Sequence, residues 1–166
     1  MKLTVQNWEN TPNEDGIGML NVFSEEGTVS FPLLIKTFDV TEDAASENTE
    51  LDIDVIFYPE SLQVFRDEEE YKRMSGSRRG PESLIPSGMF SPKQDPNFRK
   101  SNTALINGRI VSLEDSATEG IFKLMELECL GQIFDVIVED HLADIFRNAQ
   151  PGNIVCGRFY IEGYGV

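Results

Sequence analysis

Nine of the chain's 14 basic residues, Arg66, Lys72, Arg73, Arg78, Arg79, Lys93, Arg99, Lys100 and Arg109, fall between positions 66 and 109. Cations laid along one face neutralise successive phosphates, and aromatic rings set among them stack on bases, so this island has the chemistry of a track for single-stranded nucleic acid. Near the end of the chain, strand alternation places Arg158, Tyr160 and Tyr164 on one face and Val155, Phe159 and Ile161 on the other. The candidate binding residues for that chemistry are Arg78, Arg79, Lys93, Arg99, Lys100, Arg109, Arg158 and Tyr160. The competing reading is internal: the island pairs with the acids around it, Glu68 to Glu70 and Asp135 among them, and the tyrosines cap packing.

Other constellations are less specific. Ser75-Gly76-Ser77-Arg78-Arg79-Gly80 has the glycines and cations of an anion-binding nest but lacks P-loop spacing, and reads as a flexible loop. Asp52, Asp54 and Glu68 to Glu70 could hold a hard cation or share a proton. Without a glycine-punctuated acidic loop or a histidine set, they read as the solvated face of a sheet. His141 is the only histidine, and no serine or cysteine beside it is marked as a nucleophile. Cys129 and Cys156 sit inside apolar strand patterns without CxxC spacing and are expected to be buried and reduced. No catalytic residue, metal ligand or cofactor is therefore assigned.

The whole chain of 166 residues has a formal net charge of −15, and the charge is uneven. Residues 1–70 carry 17 acids and 3 bases, residues 71–109 carry 2 acids and 8 bases, and residues 110–166 carry 10 acids and 3 bases. A field of this sign repels nucleic acid and anionic membranes at long range and attracts a basic partner. No apolar run is long enough to span a bilayer, and Met1-Lys2-Leu3-Thr4 leads into polar residues, so a cytoplasmic protein is expected.

These side chains must be carried mainly by strands. Leu3 and Val5 alternate with polar neighbours, 17–23 and 28–38 form a hairpin pattern with Pro32 at an edge or bulge, and Asp39 to Glu50 is an acidic loop. Leu51, Ile53, Val55 and Phe57 alternate as a half-buried strand. Tyr58-Pro59-Glu60-Ser61 reads as a turn into Leu62 to Arg66, and Asp67 with Glu70 has capping-box spacing for a helix ending near Met74. Ser75 to Thr103 is punctuated by glycine and proline as a long irregular segment. Trp8, Phe23, Phe31 and Phe38 are expected in the core.

From Thr103 to Tyr164 the order is strand, strand, strand, short helix, strand. Gly108 is a position where the first strand can bend sharply or bulge, and Leu130-Gly131 is a tight turn. Asp140 is a helix cap with Leu142, Ile145 and Phe146 on one face, and Pro151-Gly152 leads into a closing strand or strand pair. This part resembles an OB-fold barrel at the level of the superfold, with no particular family indicated. The expected class is mainly β: N-terminal antiparallel strands packed on a C-terminal OB-like barrel with one short helix. The expected segments are 1–74, 75–102 and 103–166, fused into one domain.

The expected function is that of a non-catalytic, cytoplasmic interaction module. It would recognise a protein partner, expected to be basic, as small acidic inhibitor or immunity proteins do by analogy. Single-stranded nucleic-acid binding by the OB-like half is the alternative, and an enzyme of unfamiliar type the second. A protein partner ranks above nucleic acid, no membrane is expected, and the oligomeric state is open.

Overall fold

The computed structural model describes residues 1–10, 18–24, 29–36, 47–87 and 102–165, with the backbone alone at 7–10, 18 and 20. The chain is mainly β and divides into two compact units, one of 1–55, 85–104 and 161–166, the other of 56–84 and 105–160.

The first unit is built on β1 (Lys2–Asn10), β2 (Gly18–Ser24), β3 (Ser30–Ile35) and β4 (Glu50–Asp52). β1 pairs antiparallel with both β4 and β2, and β2 pairs antiparallel with β3, giving the order β4-β1-β2-β3. Leu3 and Val5 are buried, as their alternation requires, together with Val22, Phe31, Leu33, Ile35 and Ile53. Pro32 lies opposite Asn21. The other flank of β3 meets a strand only at Leu34 and Ile35, against Glu162 and Gly163, so the N–H that proline lacks is not needed there. Phe23 is half-buried. The Trp8 side chain, Phe38 and positions 39–46 of the expected acidic loop lie outside the described residues.

The second unit is a closed five-stranded barrel, OB-like at the level of the fold. Its strands are β5 (Asp54–Phe65, from Ile56 on), β7 (Thr103–Asp115, from Leu105 on), β8 (Ile121–Cys129), β9 (Gln132–Glu139) and β10 (Ile154–Tyr164, as far as Tyr160). Neighbours run β10-β5-β9-β8-β7, and β7 returns to β10. β7, β8 and β9 form an antiparallel meander. Closure differs from the expectation of a closing strand or strand pair within 153–164. The fifth strand is β5, which pairs in parallel with β9 through Ile56 opposite Asp135 and Phe57 opposite Val136.

β5 also corrects the turn expected at Tyr58-Pro59-Glu60-Ser61: the chain passes straight through as one 12-residue strand. Its pairing with β9 covers only Ile56 and Phe57, so Pro59 breaks no hydrogen bond of that ladder. The break falls earlier, at Ile53, whose N–H donates to the Met1 carbonyl at 3.1 Å and whose carbonyl accepts from the Met1 ammonium at 2.6 Å.

Inside the barrel lie Ile106, Ile110, Met125, Leu127, Val136 and Phe159, and the rings of Phe57 and Phe134 stack with centroids 4.4 Å apart. Gly157 of β10 makes the closure possible. A β-carbon there would stand 2.1 Å from the Ser61 carbonyl oxygen and 2.6 Å from the Leu62 β-carbon, so β5 and β10 can approach only at a residue without one. The bulge in β7 falls between Ile110 and Ser112, and Gly108 instead marks close approach to the Glu128 carbonyl.

Helix α1 (Glu68–Met74) comes after β5, as its capping spacing predicts. The Asp67 carboxylate accepts from the Glu70 N–H at 2.8 Å, and the Glu70 carboxylate accepts from the Arg66 N–H at 2.5 Å. Its one buried residue, Tyr71, packs with Phe65, Ile154 and Cys156 against the outside of β10. The segment expected to be irregular contains a further strand, β6 (Ser83–Pro86), beside β7, and its residues 88–101 lie outside the described part. After β9, a 3-10 turn (Asp140–Leu142) leads into α2 (Ala143–Phe146). Leu142 and Phe146 are buried, but Ile145 points to solvent and Asp140 makes no capping bond. Three residues per turn at the start rotate the next turn away from the face a regular helix would give.

Candidate functional site

Three of the eight residues predicted for a nucleic-acid track, Lys93, Arg99 and Lys100, lie outside the described residues. The other five occupy separate places. Arg78 is exposed in the loop after α1, and the backbone carbonyl of Arg79 accepts from the Tyr71 hydroxyl at 2.7 Å. Arg109 leaves β7 to pair with Glu68 of α1. Arg158 and Tyr160 project together from β10, as alternation predicts, and both meet Glu60 of β5: the guanidinium at 3.9 Å, the phenol by donating at 3.2 Å. That hydrogen bond and the charge of Glu60 hold the Tyr160 phenol above its ordinary range.

Several of the remaining candidates also have partners. Asp52 lies 3.5 Å from the Met1 ammonium, Glu68 meets Lys72 as well as Arg109, and His141 is exposed with Glu139 at 3.8 Å. Among the described residues no cluster of His, Cys, Asp and Glu is arranged to hold a metal, and no helix is long and apolar enough to cross a membrane. Cys129 and Cys156 are buried and free. Burial pushes the Cys129 thiol up to about 12, with Glu82 adding to it, and the Cys156 thiol up to about 11, with Arg79 acting in the opposite sense.

A groove of about 390 Å³ lies on the outer face of the barrel, across β5, β9, β8 and β7. Strand register builds it. Met125, Leu127 and Cys129 of β8 and Phe134, Val136 and Val138 of β9 point into the barrel, so Leu124, Glu126 and Glu128 and then Ile133, Asp135 and Ile137 point out. Antiparallel pairing sets Leu124 opposite Ile137, Glu126 opposite Asp135 and Glu128 opposite Ile133. On the β7 side, Glu114 lies opposite Leu124 and Ser112 opposite Glu126; on the far side, Ile56 lies beside Asp135. The outcome is an apolar step, Leu124–Ile137, next to an acidic step, Glu126–Asp135.

Two features separate this face from an ordinary solvated sheet. Its apolar side chains are open to water: Leu124 is 42% exposed and Ile133 52%. Its central carboxylates lack cations: among the described residues Glu114, Glu126 and Asp135 have no ion-pair partner, while Glu128 stands opposite Arg109 of β7, and Glu126 takes a hydrogen bond only from the Ser112 hydroxyl, at 2.7 Å. Like charges directly opposite one another destabilise a sheet, and β8 and β9 are interior strands, where acids are not needed to guard an edge. Sequence reasoning passed over this face. The available signal was apolar residues at both alternation parities, Leu124 against Met125 and Ile137 against Val136.

No protein-family model matches the chain, and no curated protein matches it.

Proposed function

We propose that the protein is a non-catalytic interaction module that docks a basic protein segment on the outer face of its barrel. The observation that carries the reading is the unneutralised acidic step Glu126–Asp135 beside the apolar step of exposed Leu124 and half-buried Ile137. Exposed apolar side chains among charges are the composition of a recognition surface, and the carboxylates choose a partner of opposite sign. A chain of net charge −15 adds long-range attraction for such a partner and repels a second copy of itself.

The nucleic-acid reading has weaker support on this barrel. OB barrels bind oligonucleotides on the face of their second and third strands. In the meander β7-β8-β9 that face belongs to β8 and β9, and none of its outward positions 124, 126, 128, 133, 135 and 137 is basic. Arg109 and Arg158 already meet Glu68 and Glu60.

Isotope-edited NMR separates the readings. A basic peptide bearing leucines should shift amides of 124–128 and 133–137, and added salt should weaken it. A single-stranded DNA of about 20 nucleotides, long enough to cover one OB-type site, should leave the spectrum unchanged at low salt. DNA binding that shifts Arg78, Arg79, Arg158 and Tyr160 instead would move the function to the basic island.

A further inference from the structure

We infer that the partner segment seats an arginine across Glu126 and Asp135, with an aliphatic side chain two residues away against Leu124 and Ile137. The inference rests on the docking reading above and adds which basic residue and which spacing the groove selects. Glu126 and Asp135 face each other across β8 and β9, so one cation above that step meets two carboxylates. A guanidinium is a planar fork with five donors, able to bond both carboxylates at once, whereas an ammonium concentrates its charge at one point. The flanks favour the same choice. Ile56 lies beside Asp135, and the Leu124–Ile137 pair lies one outward position along, so the seat is bordered by apolar side chains. A weakly hydrated guanidinium enters such surroundings more readily than a strongly hydrated ammonium.

The spacing comes from strand geometry. Successive outward positions of a strand are about 7 Å apart, at roughly 3.3 Å per residue, so the acidic and apolar steps are separated by that distance. An extended partner matches it with arginine and leucine at i and i+2, which share a face, and mismatches it with the two adjacent, which point to opposite faces. Ser112 contributes by donating to the Glu126 carboxylate at 2.7 Å, which fixes one side of the seat before the partner arrives.

Fluorescence anisotropy with four labelled nine-residue peptides tests this: Arg-Thr-Leu at the centre, its Lys-Thr-Leu and citrulline-Thr-Leu counterparts, and a scrambled version with arginine and leucine adjacent. The first should bind about tenfold more tightly than the lysine peptide and more tightly still than the neutral citrulline peptide and the scramble. Glu126→Gln and Asp135→Asn should each remove most of that preference, while Glu119→Gln, an exposed acid between β7 and β8, should leave it within about twofold. Arginine and lysine peptides that bind equally, with Glu119→Gln as harmful as Glu126→Gln, would overturn the arginine seat and leave general acidic docking standing. No binding of any basic peptide up to about 1 mM, the weakest affinity worth calling specific, would overturn the docking reading itself.

Discussion

The α-carbon of Gly157 faces the carbonyl oxygen of Ser61 so closely that a β-carbon would come within 2.1 Å of it. The obstacle is backbone, with the Leu62 α-carbon at 2.7 Å behind it, so no side-chain rotation relieves it. Gly157→Ala must therefore push β5 and β10 apart where the barrel closes. Overpacking of this kind costs about 3 kcal/mol or more. Urea denaturation should show a large drop in midpoint; an unchanged midpoint would mean that β5 and β10 are not held this close in solution.

Leu130, at the tip of the β8–β9 hairpin, has φ 52°, and Gly131 after it has φ 80°. Both are left-handed, as a two-residue type I′ turn demands, and Cys129 pairs with Gln132 around it. Leucine pays about 1–2 kcal/mol there that asparagine largely avoids. Leu130→Asn should raise the melting temperature, and a fall would show that the exposed leucine makes a contact its position does not reveal.

Replacing one of two opposed acids relieves repulsion, so Glu126→Gln should stabilise the free protein by a few tenths of a kcal/mol, within the roughly 0.2–1 range of cross-strand pairs. The same change should weaken binding of the arginine peptide. Gain in stability with loss of binding is the mark of a site kept for function. A destabilised Glu126→Gln protein would instead assign Glu126 to the fold, through its Ser112 hydrogen bond.

Cys129 is fully buried and its thiol is raised from 9.0 to about 12. The folded value lies above the unfolded one, so the fold holds the proton more tightly. Stability is complete below about pH 9 and falls as pH rises toward about 12. Ionisation of this one thiol in the unfolded chain costs the native state about 1.4 kcal/mol at about pH 10. Cys129→Ala should flatten the alkaline limb of a stability-against-pH curve. Native protein at about pH 8 should react slowly with a thiol reagent, and fast labelling of both cysteines would contradict their burial.

The Asp67 side chain caps the start of helix α1. Asp67→Ala removes the bond to the Glu70 N–H and should cost about 1 kcal/mol, measured by thermal or urea unfolding, whereas Asp67→Ser should retain most of the stability.

Much of this architecture could be read from local pattern. Met125, Leu127 and Cys129 against Glu126 and Glu128 announce a half-buried strand, and Asp67 with Glu70 announces α1, because both signals lie within a few residues. Arg158 and Tyr160 were legible as outward residues for the same reason. Ile154 and Cys156 share their parity yet are buried, because Tyr71 and Phe65 cover them, and that contact joins distant parts of the chain. The fifth barrel strand was hidden by Pro59. Proline beside tyrosine, glutamate and serine has turn composition, yet Pro59 stands in a strand, beyond the end of the short β5–β9 ladder. The groove was hidden because a face exists only after register is set. Glu126 and Asp135 are nine positions apart in sequence, and nothing local says that they stand opposite.

The parallel pairing of Ile56 with Asp135 spans 79 residues of chain, and β10 must still arrive before β5 and β7 have their remaining neighbours. Contacts this distant in sequence form late, since the entropy of a large loop is lost before any pairing rewards it. On the ribosome, β5 emerges early and waits as an unpaired strand while the meander is synthesised. The barrel thus cannot close until β10 has been made, and a nascent chain stopped before β10 would display two open strand edges to whatever chaperone or neighbour meets them first.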